Sequence, residues 1–168
     1  MGPAAVPYGG IPTAVASATI DAPLSLVWTV MTDLAGYGGW NPFIIGVTAP
    51  PGRPPRLGDA IALRVRFAGG RTVTSRELIT RYDQPSTEDG AERAVLAYEF
   101  RGPLHATGMV RAVRVQTLTQ SPGGPTEYRT EEVFRGVLAF AIPLAGVRDG
   151  FDRHARALKE YAERLSAR

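Results

Sequence analysis

The 168-residue sequence contains no cysteine, and this absence removes several classes of function at once. Disulfide frameworks, thiolate metal sites and cysteine nucleophiles all need a thiol. His105 and His154 are the only histidines, and two imidazoles without thiolates leave a zinc site short of ligands. Glycine motifs that bind phosphate or dinucleotides and the serine elbow of hydrolases are also missing. We therefore expect no metal and no cofactor.

Long apolar runs and an early cationic segment are missing as well. The longest apolar stretch, residues 137–147, is interrupted by Pro143 and Gly146 and is far shorter than the roughly 20 residues of a membrane-spanning helix. No lysine or arginine precedes Arg53, so the cationic start of a secretory signal is not seen. These absences predict a cytoplasmic protein without a membrane span.

Lysine is scarce, since Lys159 stands alone beside 18 arginines, and the net charge is +3. The 16 acidic residues are interleaved with the basic ones. In residues 63–67 two arginines alternate with apolar residues, which is typical of the solvated face of a half-buried strand. Without a block of like charge or an aromatic and basic platform, we expect no nucleic-acid partner.

The periodicity of the apolar residues divides the chain into a short arm and one domain. Residues 1–12 are rich in Pro and Gly and uncharged, which predicts a flexible arm, and residues 13–168 form the single domain. A first strand at 13–20 is followed by a short amphipathic helix with Asp21 as its N-cap, and by a second short helix or turn at 39–43. Further strands are predicted at 44–48, 60–67, 72–82, 94–100, 109–119 and 127–134.

The C-terminal third has helical periodicity. Apolar residues recur at spacings of three and four between about 143 and 166, which predicts one long helix. Gly146 and Gly150 lie one turn apart in it. Because glycine costs about 1 kcal/mol relative to alanine inside a helix, the pair indicates a close backbone approach or an open space beside the helix, unless it is merely tolerated.

The predicted fold class is therefore α+β. About seven antiparallel strands form a curved sheet around the long C-terminal helix, with two short helices after strand 1. The long helix is the only element able to cover the concave face of such a sheet. A twisted sheet curled around one helix leaves a cavity between the two, which predicts a small-molecule pocket of several hundred Å³.

Five short motifs add a resemblance to this pattern. They are Asp21-Ala22-Pro23, Trp40-Asn41-Pro42-Phe43, Tyr82-Asp83-Gln84-Pro85, Glu132-Val133-Phe134-Arg135-Gly136 and the helix end Ala157-Leu158-Lys159. In this order they resemble the START-related polyketide cyclase/dehydrase family (SRPBCC, helix-grip fold). The resemblance implies a helix-grip fold and a hydrophobic ligand, which a carrier protein would deliver in a biosynthetic pathway.

The resemblance leaves three functions open. The first is a cyclase, aromatase or dehydratase that acts on a polycyclic aromatic, polyketide-like molecule in bacterial natural-product biosynthesis. The second is a non-catalytic carrier or a self-resistance protein that sequesters a hydrophobic metabolite, including enediyne-type toxins. The third is a general lipid-binding protein. Fold analogy alone does not choose among them.

Side-chain alternation along the strands gives the candidate catalytic residues. Glu77 and Glu132 fall on the apolar, inward sets of their strands, together with Tyr98. A buried carboxyl group with a raised pKa suits general acid/base chemistry, whereas the competing interpretation is a structural Glu–Arg pair. Arg111 lies on the inward set if Met109 does, although Val110 and Ala112 allow the opposite alternation.

The same reasoning gives the candidate ligand contacts. Trp40 and His154 also fit a purely structural role, in the motif and in the helix core, and Trp28 fits a lining or a sealing role equally. The candidates are Trp28, Trp40, Phe43, Leu63, Val65, Phe67, Ser75, Arg111, Tyr128, Thr130, Phe134, Val147, Phe151 and His154.

Overall fold

A computed structural model describes residues 10–168 of the chain. Most of the predicted flexible arm, residues 1–9, lies outside the described residues, so that expectation stays a prediction. The strands are β1 (Thr13–Ile20), β2 (Ile44–Thr48), β3 (Ala60–Arg66), β4 (Thr72–Glu88), β5 (Ala91–Phe100), β6 (Arg111–Gln120) and β7 (Thr126–Arg135). The helices are α1 (Leu24–Thr32), α2 (Pro103–Ala106) and α3 (Leu144–Ser166), with 3₁₀ turns at Leu34–Gly39 and Ala139–Ala141.

The seven strands form one antiparallel sheet in the order β1-β7-β6-β5-β4-β3-β2. Every neighbour in this order except the β1–β7 pair is also a neighbour along the chain, as expected of a meander. The sheet curls around α3, which packs most extensively against β1. The α+β helix-grip fold is thereby confirmed.

Helix α3 is held by one buried stripe. Its buried residues are Val147, Gly150, Phe151, His154, Ala155, Leu158 and Ala162, a spacing of three and four that places them on one face. On the outer side Arg153 Nε donates to Asp149 Oδ2 at 2.9 Å, a favourable pair one turn apart. The predicted limits of about 143–166 agree with the observed helix.

The two glycines of α3 lie against phenyl rings. A Cβ atom on Gly146 would come within 3.2 Å of the Phe67 ring, and one on Gly150 would overlap the Phe43 ring. Of the interpretations open from the sequence, a close approach to the helix is correct, since the rings of Phe43 and Phe67 lie against the two glycines. These rings occupy the space that would otherwise be open beside the helix.

The predicted limits of β4 and β5 differ from the observed ones, and β5 begins at Ala91 rather than at residue 94. Strand β4 was expected to end at Tyr82 before a turn at 84–90, but it continues to Glu88 and turns only at Asp89 and Gly90, both with positive φ. The pairing of β4 with β5 shifts register between Ile79 and Arg81 and again between Asp83 and Ser86. Pro85 lies in the second shift, where it need not donate a hydrogen bond, because a bulge leaves residues outside the ladder.

The first helical segment also differs in detail. Asp21 is not the N-cap of α1, since Pro23 occupies that position and the Leu24 N–H donates to Gln120 Oε1 at 2.9 Å. The second short helix spans Leu34–Gly39 rather than 39–43. Its three glycines are part of the 3₁₀ turn. Within residues 10–168 no helix is long and apolar enough to cross a membrane.

Candidate functional site

A cavity of about 210 Å³ lies between the first turns of α3 and the concave face of the sheet. Its volume is below the several hundred Å³ that the sequence predicts, because the Phe43 and Phe67 rings fill the space beside Gly150 and Gly146. Of the predicted site residues, eleven line it: Phe43, Leu63, Val65, Phe67, Ser75, Glu77, Tyr98, Glu132, Phe134, Val147 and Phe151.

Nine further lining residues were not among the sequence-based candidates: Ile44, Val73, Phe100, Leu104, Val110, Ala112, Arg114, Ile142 and Pro143. Apolar alternation could have found Val73 and Phe100, since each belongs to the inward set of its strand, whereas the alternation around β6 left Val110 and Ala112 undecided. Leu104 and Ile142 lie in connections between strands or before α3, where no periodicity marks an inward residue.

The most consequential omission is Arg114. The alternation on β6 is the opposite of the one chosen for Arg111, so Val110, Ala112 and Arg114 face inward and Arg111 is exposed on the outer face. Both faces of β6 carry apolar residues, with Val113 and Val115 on the outer one, and this made the hydrophobic pattern ambiguous. The cation that faces the cavity is therefore Arg114.

Arg114 is 2% exposed and its guanidinium group is held from several sides. Nε donates to Thr130 Oγ1 at 2.8 Å, and Nη1 donates to Tyr98 Oη at 3.1 Å. The guanidinium carbon lies 4.1 Å from the centre of the Phe151 ring, within the range of a cation–π contact. Nη2 has no hydrogen-bond partner among the described residues.

Glu132 is the residue opposite Arg114 on β7. It lines the cavity, and within residues 10–168 its carboxylate makes no hydrogen bond or ion pair, so a direct structural pair with Arg114 is not formed. Burial raises the pKa of Glu132 to about 7, and the charge of Arg114 opposes this increase. Near neutral pH the carboxyl group is therefore divided between its acid and its carboxylate forms.

Glu77 is the second carboxyl group of the cavity and is 6% exposed. The register shift in β4 begins only after Ile79, so the alternation through Glu77 is intact and the side chain faces inward. Ser75 Oγ donates to Glu77 Oε1 at 2.5 Å. Burial raises the pKa of Glu77 to about 8, partly offset by the Ser75 hydrogen bond, so the group is mainly protonated at neutral pH.

Tyr98 completes a polar row across three strands. Tyr98 on β5 pairs with Arg114 on β6, which in turn pairs with Glu132 on β7. Burial raises the pKa of Tyr98, so its hydroxyl stays protonated. Because its oxygen accepts from Arg114, its own proton is available to a ligand.

His154 lies behind the cavity rather than on it. Asn41 Oδ1 accepts hydrogen bonds from the backbone N–H groups of Phe43 and Ile44 at 3.0 and 2.9 Å, which leaves the Asn41 amide nitrogen to donate to His154 Nδ1 at 2.9 Å. Nδ1 is then the acceptor, and the neutral ring carries its proton on Nε2. Burial lowers the pKa of His154 well below its ordinary value, and Arg114 adds to the effect. His154 is buried and does not line the cavity.

Four other candidates are core residues that do not line the cavity. Trp28 packs against Tyr82 with ring centres 5.1 Å apart, and Trp40 stacks on Tyr161. Tyr128 stacks on His154 and donates to Gln116 Oε1 at 2.8 Å. Thr130 contributes indirectly, because its hydroxyl positions Arg114.

The arrangement combines apolar walls with one polar end. The polar end presents two carboxyl groups, a phenol and a guanidinium group whose Nη2 has no partner among the described residues: Glu132, Glu77, Tyr98 and Arg114. Apolar walls exclude water, so these groups act more strongly on a bound carbonyl oxygen than they would in solution. Within residues 10–168 no cluster of three metal-ligating side chains is found.

Comparison with known proteins places this geometry in context. The profile of a family described as polyketide cyclase / dehydrase and lipid transport matches residues 12–167. No curated protein matches the sequence.

Several solved structures share the fold at low sequence identity. Ginseng major latex-like protein 151 from Panax ginseng has a TM-score of 0.67 at 12% identity, covering 89% of this chain and 96% of that one. A START superfamily protein from Mycobacterium smegmatis has a TM-score of 0.61 at 15% identity, covering 91% and 98%. The di-domain ARO/CYC protein BexL from the BE-7585A biosynthetic pathway has a TM-score of 0.61 at 16% identity, covering 93% of this chain and 50% of BexL. These identities support likeness of fold alone.

Proposed function

This chain belongs to the polyketide cyclase/dehydrase and lipid-transport family, and from that premise we propose that it acts on a polycyclic aromatic, polyketide-like ligand as a cyclase, aromatase or dehydratase. The observation that carries the proposal is the polar end of the cavity, where two carboxyl groups with raised pKa values accompany a buried arginine. The likeness of fold to an ARO/CYC protein of a biosynthetic pathway is consistent with it.

Glu132 is the general base of the proposed reaction. Its carboxylate has no hydrogen-bond partner in the described part of the chain, and its pKa of about 7 makes it a competent base at neutral pH. It removes a proton from a carbon next to a ligand carbonyl, and the electron pair of the broken C–H bond moves to the carbonyl oxygen. The product is an enolate.

Arg114 and Tyr98 stabilise the charge on that enolate oxygen. Arg114 Nη2 has an unused donor, and the Tyr98 hydroxyl, which accepts from Arg114 Nη1, donates its own proton. Donors fixed in a dry site before the reaction are effective because they need no reorganisation when charge develops. Arg114 therefore stabilises the transition state that leads to the enolate.

Glu77 is the general acid. It is mainly protonated at neutral pH, since its pKa is about 8. When the enolate carbon attacks a second carbonyl group of the same ligand, a C–C bond forms and the new alkoxide takes the Glu77 proton. In the dehydration the ionised Glu77 removes the remaining proton from the carbon next to the carbonyl, and the electron pair of that C–H bond forms the C=C bond. The hydroxyl leaves as water with the proton held by Glu132, which returns both carboxyl groups to their starting forms.

The first step is tested by hydrogen–deuterium exchange of 2-tetralone, a bicyclic aromatic ketone, in D₂O. We expect Glu132→Gln to slow the enzyme-dependent exchange by about 100-fold, a typical contribution of general acid/base catalysis. Glu131→Gln is the matched control, because Glu131 is the preceding residue on β7 and pairs with Arg129 outside the cavity. The wild-type rate should rise as the pH passes about 7, where Glu132 ionises.

A second candidate function has its own support in the structure. A carboxyl group that burial keeps protonated is a neutral hydrogen-bond donor and can hold a ligand carbonyl without any reaction. If 2-tetralone binds equally to the wild type and both variants but exchanges no faster than in buffer, the protein is a non-catalytic carrier or a self-resistance protein.

A further inference from the structure

Four large apolar side chains are exposed together beside the cavity. Leu104, Met109, Val137 and Phe140, called the apolar rim below, include the two most exposed large apolar residues of the described chain, Phe140 at 80% and Val137 at 72%. They belong to two neighbouring connections, which are joined by a hydrogen bond from Leu138 N–H to Met109 O at 3.0 Å. Several exposed apolar side chains on neighbouring connections are typical of an interaction site.

The apolar rim adjoins the cavity through Leu104. Leu104 lines the cavity and is 41% exposed, and the exposed Pro143 lines it from the other connection. A ligand entering between them would pass directly along Leu104.

The charges of the chain are concentrated around the same end of the cavity. Residues 64–76, 99–111 and 135–149 include the lining residues Val65, Phe100 and Pro143, and they contain eight arginines and two acidic residues. The arginines that belong to strands alternate with lining residues, so they lie on the outer face of the sheet beside this end of the cavity. This is a formal excess of six positive charges, whereas the whole chain carries +3, so the remaining residues carry −3. The eight, called the arginine collar below, are Arg64, Arg66, Arg71, Arg76, Arg101, Arg111, Arg135 and Arg148, all exposed.

Two members of the arginine collar face each other without an anion between them. Arg111 and Arg135 are directly opposite on β6 and β7, and neither makes an ion pair within the described part of the chain. Like charges opposite each other in an antiparallel pair are destabilising. An anionic partner at this surface would remove the repulsion.

We propose that the apolar rim and the arginine collar dock the protein on a lipid bilayer that contains anionic lipids. The apolar rim enters the interfacial region while the arginine collar contacts lipid phosphates, the combination by which proteins bind membrane surfaces without spanning them. The cavity then opens towards the hydrocarbon, and a hydrophobic ligand can move between bilayer and cavity without crossing water.

A bilayer fits these features better than other anionic partners. Nucleic acid offers no apolar phase for Phe140 and Val137, the two most exposed large apolar side chains of the described residues. An acidic carrier protein would offer a localised patch, whereas the arginine collar comes from three separate segments beside the cavity and matches an extended surface.

The test is co-sedimentation with phosphatidylcholine vesicles prepared with and without phosphatidylglycerol. We expect the wild type to bind only vesicles containing phosphatidylglycerol, and to dissociate at high salt, which screens surface charge. Arg111→Gln/Arg135→Gln should weaken binding by at least roughly tenfold, since each arginine near an anionic surface contributes about fivefold. Arg93→Gln/Arg164→Gln, which removes two exposed arginines outside the collar segments, is the matched control.

Insertion of the apolar rim is tested separately. Phe140→Ser should weaken binding, whereas Leu57→Ser, which changes a residue that is 68% exposed in the β2–β3 connection, should not. In Phe140→Trp the new fluorescence should shift to the blue with anionic vesicles and be quenched by brominated lipid. The proposal is overturned if the wild type ignores anionic vesicles, if test and control variants lose binding equally, or if only an acidic carrier protein is bound.

Discussion

Replacing Glu77 by glutamine should make the stability of the protein depend differently on pH. The Glu77 carboxyl group has an ordinary pKa of 4.5 and a pKa of about 8 in the fold. Between these values it ionises in the unfolded chain but stays protonated in the folded one, so the wild type loses stability as the pH rises. The glutamine side chain does not titrate, and the variant lacks this loss.

The expected size follows from the two pKa values. One pKa unit corresponds to about 1.4 kcal/mol, so the stability of the variant relative to the wild type should rise by roughly 5 kcal/mol in total between pH 4.5 and 8. Because Glu77 is 6% exposed, solvent screening removes little of this difference. The glutamine can still accept the hydrogen bond from Ser75, so the packing is kept.

Urea unfolding at pH 5, 7 and 9 measures the effect directly. Glu92→Gln, which removes an exposed carboxyl group at the start of β5, is the control for the loss of one negative charge. A constant stability difference between Glu77→Gln and the wild type across this range would show that Glu77 ionises in the fold as it does in the unfolded chain. The assignment of Glu77 as the general acid would then be wrong.

Two predictions concern the packing that shapes the cavity. Gly150→Ala should lower the stability measured by thermal unfolding by about 1–3 kcal/mol, since its Cβ atom would overlap the Phe43 ring. Gly146→Ala, whose Cβ atom meets only the edge of the Phe67 ring, should be neutral or stabilising. Equal effects of the two substitutions would contradict this prediction. Asn41→Ala should lower the free energy of unfolding by roughly 2–5 kcal/mol, because it deprives two buried backbone N–H groups and His154 of their hydrogen-bond partner. Thr29→Ala, at an exposed hydroxyl of α1, is the control. Similar losses of stability in both variants would refute the role of Asn41.

The architecture could be predicted because the chain alternates clearly along most strands and has helical periodicity at its end. Strand β1 and strand β2 have the predicted limits, and α3 begins and ends within a residue of them. Strand β4 continues past the end predicted at Tyr82, because Pro85 is accommodated by a register shift that depends on the partner strand β5. A local pattern of turn residues carries no information about that partner.

The site was predictable where the alternation along a strand assigned one face to the interior. On β3 the arginines and apolar residues alternate strictly, and Leu63 and Val65 line the cavity as expected. On β6 both faces are apolar, so the sequence could not distinguish Arg111 from Arg114. Which arginine faces inward depends on the tertiary structure, because Thr130 and Tyr98 accept hydrogen bonds from the guanidinium group of Arg114.

The geometry of Arg114 bears on whether the polar end of the cavity is structural. A buried charge that serves only the fold is expected to be paired, because an unpaired one is costly. Arg114 instead bonds two neutral hydroxyl groups and keeps one nitrogen free, while Glu132, its neighbour across the β6–β7 ladder, bonds nothing among residues 10–168. Cation and carboxyl group are thus close enough to influence each other's ionisation yet remain separate. That separation leaves both groups available to a ligand oxygen and a ligand proton at the same time, which a closed ion pair would prevent.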